Sequence, residues 1–145
     1  MPLRPGLAEV LAVMQPRLHS STYVFVSVAD DTPMANLNVL ASMREAEGLS
    51  LIMEEAQALA CGFEPMFRAA WIQLEIQTDL AAVGITAALA EALTEYNISC
   101  NVVAGAYHDY LLVPYELAQT ALQALAEVQD TARLHLHCSS QSLPL

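Results

Sequence analysis

Between residues 72 and 96 the apolar spacing changes from every second position to every third or fourth. That change restricts the fold more than any other feature of the chain. Ile72, Leu74 and Ile76 alternate with Gln73, Glu75 and Gln77, the period of a strand with one face in a core and one in a polar setting. Beyond Thr78-Asp79, Ile85, Ala88, Leu89, Ala92, Leu93 and Tyr96 fall on one stripe of a helix, with Thr86, Glu91, Thr94 and Glu95 opposite. Asn97 is placed to stop it. Residues 98–104 and 107–113 read as two strands joined through Gly105, and Pro114 suits the start of a helix that buries Ala118, Ala121, Leu122, Leu125 and Val128. Leu134, Leu136 and Cys138 then alternate with Arg133, His135 and His137, which predicts a last strand.

Residues 71–138 therefore carry the order β-α-β-β-α-β. An antiparallel sheet with both helices on one face, the ferredoxin-like arrangement, satisfies it. The first half gives a partial version of the same unit. Leu7, Val10, Leu11, Met14 and Leu18 have helical spacing up to Pro16, and Tyr23-Val24-Phe25-Val26-Ser27-Val28 is a buried strand. Asp30-Asp31-Thr32-Pro33 marks a loop, two extended pieces flank Glu47-Gly48, and a helix from Glu54 is stopped by Gly62. The expected fold class is α+β, two ferredoxin-like modules with the N-terminal one truncated, lacking its opening strand. The expected division is 1–69, 70–138 and a polar tail 139–145. A short internal echo supports the pairing of halves: Leu51-Ile52-Met53-Glu54-Glu55-Ala56-Gln57 resembles residues 111–119, each a strand running into an Ala/Gln helix.

Composition narrows the function. The net charge is −11, with sixteen acidic residues, five arginines and no lysine. Such a chain repels phosphate backbones and anionic membrane surfaces, so neither nucleic acid nor membrane is an expected partner. Without lysine there is no Schiff-base nucleophile and no phosphate-loop cation. Apolar residues make up 55% and charged residues 14%, ample for a core and poor in polar surface, which favours a homo-oligomer, a dimer first. No apolar run reaches the ~20 residues that span a bilayer, Met1-Pro2-Leu3-Arg4-Pro5 lacks a signal-peptide core, and three scattered cysteines suit a reducing cytoplasm.

Residues 79–93, beginning Asp79-Leu80-Ala81-Ala82-Val83-Gly84-Ile85, look like the first loop and helix of an ACT domain. Asn97-Ile98-Ser99-Cys100-Asn101-Val102-Val103-Ala104 resembles the strand that follows it there. Tyr107-His108-Asp109-Tyr110-Leu111-Leu112-Val113-Pro114 and Met43-Arg44-Glu45-Ala46-Glu47-Gly48-Leu49-Ser50-Leu51 resemble segments of a bacterial family of small tandem ACT proteins, related to aspartokinase regulatory regions. The loop before Gly84 is longer than the tight loop common in that family, and residues 31–39 have no counterpart in it. The resemblance implies a non-catalytic module binding an amino acid or similar metabolite against the first strand-to-helix loop and the strand beside it. It places the ligand on Asp79, Ala82, Val83, Gly84, Ile85, Asn97, Ile98 and Asn101, with no cofactor and no metal.

The residues offer an independent logic. Gly84 lets a ligand approach backbone N–H groups at a helix start, Asp79 suits an α-amino group, and Asn97 and Asn101 supply donors and acceptors. The plainer reading is that Asp79 turns the loop and Gly84 permits close packing. His108-Asp109 with His135 and His137 has no recognised metal spacing. Cys100 and Cys138 lie on apolar sides where a thiol is inert, no Gly-x-Ser-x-Gly elbow exists, and Trp71 reads as a core or inter-module anchor. The alternative to a ligand-binding module is a scaffold that uses the fold to oligomerise or dock on an enzyme.

Overall fold

A computed structural model describes residues 6–76 and 83–141. In chain order the elements are α1 (Leu7–Val13), β1 (Gln15–Leu18), β2 (Tyr23–Val28), β3 (Val39–Glu45), β4 (Gly48–Glu54), α2 (Glu55–Ala60), β5 (Phe67–Glu75), α3 (Ile85–Glu95), β6 (Asn101–Ala104), β7 (Asp109–Pro114), a 3₁₀ turn (Tyr115–Leu117) and α4 (Ala118–Ser140). The strands form one antiparallel sheet in the order β3-β4-β2-β5-β7-β6, with β1 also paired to β5.

β5 organises this order. Phe67, Arg68 and Ala69 pair with Phe25, Val24 and Tyr23 of β2, while residues 72–75 pair with β1, Ile72 opposite Leu18 and Glu75 opposite Gln15. Along the other edge, residues 69–74 pair with β7. β5 is therefore the fourth strand of a unit β2-β3-β4-α2-β5 and the first strand of a unit β5-α3-β6-β7-α4. The division expected between residues 69 and 70 falls inside it.

The truncation is of a different kind from the one expected. The first unit has its opening strand, β2, and lacks a helix between β2 and β3, where residues 29–38 form a loop. In the second unit the missing fourth strand is β1, which arrives from the chain's beginning. The expected helix ends at Val13, just short of Pro16, which cannot continue it and forces Gln15 into extended backbone. Pro16 sits opposite Leu74 on an edge strand, where a missing N–H is tolerated.

The predicted strand at residues 134–138 is also corrected: these residues continue α4, a helix of 23 residues, and so do Ser139 and Ser140 of the expected tail. Six alternating residues are too few to fix the period, and no Gly or Pro interrupts 118–140. The strand position beside β5 is already filled by β1. α4 instead holds α1, since Gln129 Nε2 donates to the carbonyls of Ala12 (3.1 Å) and Met14, and Arg133 Nε donates to Ala12 (3.2 Å). These donors satisfy carbonyls that a helix end leaves open.

Residues opposite one another across a sheet point to the same side. One side carries Val24, Val26, Leu51 and Met53 against Ala58 of α2, and Ala70, Ile72, Leu74, Leu111 and Val113 against α1, α3 and α4. All four helices thus cover one face. Among the described residues the other face has no helix, yet Tyr23, Ile52, Ala69, Trp71 and Leu112 are buried on it. The sheet curls to bury them: β3 and β6, at opposite ends of the strand order, line one groove together with Phe25 and Ile52. Trp71 lies in this concave layer with ring centroids 4.7 Å from Tyr110 and 5.6 Å from Tyr23, an anchor between the two units.

Gly48, which opens β4 after a two-residue turn, has φ +145°, and a Cβ there would lie 2.5 Å from the Val28 carbonyl oxygen. Gly62 has φ +74° with open space around it. Gly48→Ala is expected to lower the unfolding free energy by more than about 2 kcal/mol and Gly62→Ala by roughly 1 kcal/mol, measured by urea denaturation.

Candidate ligand-binding site

The site indicated by the sequence centres on α3. Ile85 anchors its start, buried in the main core with Leu89 and Leu93. Gly84 precedes it as N-cap with φ +100°, a left-handed conformation open to glycine, and accepts a 3.0 Å bond from Ala88 N–H. No side chain among the described residues caps this end and the first turn holds no acidic residue. Among the described residues the first-turn N–H groups therefore have no side-chain partner, at the positive end of the helix dipole. Val83 is exposed beside Gly84. Asp79 and Ala82 lie outside the described residues.

The other three residues lie at the far end of the helix. Asn97 has φ +55° and ends α3: its N–H bonds Thr94 O at 2.8 Å and the Ile98 N–H bonds Leu93 O at 3.0 Å. This paired closure is the Schellman arrangement, with asparagine in the left-handed position usually held by glycine. Ile98 is buried in the same core as Ile85, and Asn101 opens β6 opposite Leu112, exposed. At 1.5 Å per residue, Gly84 and Asn97 stand roughly 20 Å apart. The structure thus brings Val83, Gly84 and Ile85 together and leaves Asn97, Ile98 and Asn101 as a separate group.

Two further features were hidden from the sequence. The groove between the rims β3 and β6 has a volume of about 480 Å³, with Phe25, Ile52, Met43 and Val103 as apolar lining and Ser42, Ser50 and Glu45 as polar lining. At the junction of the two units, Arg68 Nε donates to Glu55 at 2.7 Å, its Nη1 lies 3.5 Å from Glu116, and its guanidinium stands 4.1 Å from the Tyr115 ring centroid. Both depend on strand pairings across long sequence separations, and periodicity carries no signal for them.

The metal and thiol readings also meet the structure here. His135 and His137 lie on α4, His108 in the β6–β7 turn, and among the described residues no three His, Cys, Asp or Glu side chains converge. Cys100 is half-buried, and burial pushes its thiol up to about 11, so little thiolate exists near neutrality. Cys138 is on α4 and exposed, not on the apolar side of a strand.

Comparison with known proteins agrees with this architecture. Two models of the ACT domain match, one over residues 5–70 and the other over 67–127, and they overlap within β5. A Vibrio cholerae protein of unknown function, described as a possible transport protein, is 42% identical, with a TM-score of 0.77 over 85% of this chain and 95% of that one. An Agrobacterium tumefaciens protein is 16% identical, with a TM-score of 0.59 over 80% of this chain and 89% of the other. The ligand-free regulatory subunit of aspartate kinase from Thermus thermophilus is 12% identical, with a TM-score of 0.60 over 79% of this chain and 97% of that one. No curated protein sequence matches. The chain belongs to the ACT-domain family and carries two ACT domains in tandem. Such domains are typically regulatory modules that bind small molecules.

If Asn97 acts as the helix stop, Asn97→Gly should keep or raise thermal stability while Asn97→Ala costs about 1 kcal/mol, read from paired melting curves. At about pH 8 a colorimetric disulfide reagent should modify exposed Cys61 rapidly and Cys100 only as the protein unfolds.

Proposed function

We propose that this chain is a non-catalytic regulatory protein that binds a small zwitterionic metabolite, an amino acid, at the start of α3. The observation that carries the reading is the α3 N-terminus: Gly84 in a left-handed cap and a first turn that itself holds no acidic residue. A ligand carboxylate is the natural acceptor for the N–H groups of that turn. Ile85 fixes the helix behind the site, Val83 and Ala82 flank it, and Asp79 is the partner for the ligand's α-amino group. Membership of a family of regulatory modules supports the class of ligand.

Asn97, Ile98 and Asn101 join this site only across a subunit boundary, where the far end of one α3 can meet the start of another. A homodimer is therefore part of the proposal. A cytoplasmic location completes the reading. Among the described residues no helix is long and apolar enough to cross a membrane.

The second reading, a scaffold that docks on an enzyme without a ligand, draws support from exposed apolar side chains such as Met43, 65% accessible, and Leu134, 66% accessible. The two part on one measurement. A thermal-shift panel of the amino acids at millimolar concentration should show saturable stabilisation by one ligand, about 2.7 kcal/mol at 100 times its dissociation constant. Asp79→Ala should remove that shift without changing the melting point of the unliganded protein. A panel with no shift at all leaves the scaffold reading standing and overturns this one.

A further inference from the structure

Between α3 and α4 runs an open groove of about 340 Å³ that the ligand-binding proposal does not use. Its floor is apolar and made of small side chains, Ala88 and Ala92 from α3, Ala124 and Val128 from α4, with Leu11 of α1 beneath. Its rims are anionic. Glu91 and Glu95 stand one turn apart on α3, and Glu127 stands on α4. None of the three makes an ion pair among the described residues: Glu127 accepts only from Tyr96 Oη at 2.6 Å and Gln123 Nε2 at 3.4 Å.

Two carboxylates four residues apart on one helix repel each other, and a third across an apolar groove adds to the repulsion. A cationic occupant turns this unfavourable field into attraction. The low floor admits side chains from a facing helix, as ridges enter a groove between two helices. Leu134 lies two turns beyond Glu127 on the same face of α4 and is 66% exposed, so the rim continues as an apolar contact past the acidic part. A second copy of this chain, with net charge −11, brings more anions to the groove.

We infer that the α3/α4 groove is a docking site for a basic amphipathic helix of a partner protein. The partner's apolar stripe fills the alanine floor and its flanking Lys or Arg side chains meet Glu91, Glu95 and Glu127. This is helix-in-groove recognition with charge complementarity at the rim. The site is separate from the start of α3, and its test needs no amino-acid ligand.

The test uses the full chain and a fluorescein-labelled amphipathic Leu/Lys helix of about five turns, followed by anisotropy at roughly 0.15 M salt. A peptide of the same composition with Leu and Lys scrambled around the helix measures attraction by charge alone. Wild type should bind the amphipathic peptide and hold the scrambled one far more weakly. E91K/E95K should weaken binding at least about tenfold, whereas E47K/E64K, with the same change of net charge on exposed residues elsewhere, should change it less than about twofold. Ala92→Trp fills the groove without altering charge and should also weaken binding, with melting curves confirming that each variant is folded. Equal losses from both double variants, equal binding of the scrambled peptide, or an unaffected Ala92→Trp overturns the inference. So does displacement of the peptide by stoichiometric spermine, which makes the occupant a small polyamine. A wild-type dimer in sedimentation that Ala92→Trp dissociates makes the occupant a second copy and overturns it as well.

Discussion

The structure depends on the double use of one strand. β5 has nine residues, about 30 Å of extended chain, and each of its edges is occupied over most of that length. β2 and β1 lie end to end along one edge, and β7 covers the other. Because the same backbone closes both units, they cannot separate by bending a linker; separation requires breaking ladder hydrogen bonds. The side chains at the crossing suit this role. Ala69 and Ala70 let neighbouring strands and helices approach on both faces, while Trp71 supplies the bulk that ties Tyr23 of the first unit to Tyr110 of the second.

The curl follows from where the helices are. With α1 to α4 on one face, the other would expose Phe25, Ile52, Trp71, Tyr110 and Leu112 if the sheet were flat. Burying that area at roughly 25 cal/mol per Å² favours rolling the sheet toward its uncovered side, and right-handed strand twist supplies the sense of the roll. The rolling stops short of closure, leaving β3 and β6 as rims. Both are poor templates for unwanted pairing: β6 has four residues, and β3 carries a register shift near Leu40 and ends in Arg44 and Glu45.

What the sequence made legible was local. Strand β2, the β3–β4 hairpin, helix α3 and the stops at Gly62 and Asn97 each follow from a period or a backbone requirement within a few residues. What it hid was every choice decided by distant partners. Gln15 to Leu18 continue a helical spacing, yet Pro16 and the vacancy beside Leu74 make them a strand. Leu134, Leu136 and Cys138 alternate, yet α4 runs on because Gln129 and Arg133 must reach the carbonyls of α1. For the candidate site, Gly84 was singled out because a glycine near a helix start leaves backbone N–H groups approachable; its left-handed φ is seen only in the structure. Grouping it with Asn97 and Asn101 came from resemblance, and the length of α3 divides that group in two.

The division has a consequence for regulation. If both proposals hold, a ligand at the start of α3 and a helix along its flank act on one element, held in the main core through Leu89 and Leu93. Within one chain neither site touches the other, so coupling inside a chain passes through the position or order of α3. Linkage then requires reciprocity: whatever factor the ligand adds to helix affinity, the helix adds to ligand affinity. The shared strand limits how such a change can spread. β1 pairs with β5 at the end that leads toward α3, and β2 pairs at the opposite end. A shift of α3 therefore reaches α4 first, then α1 and β1 through α4, and the first ACT domain only through the full length of β5.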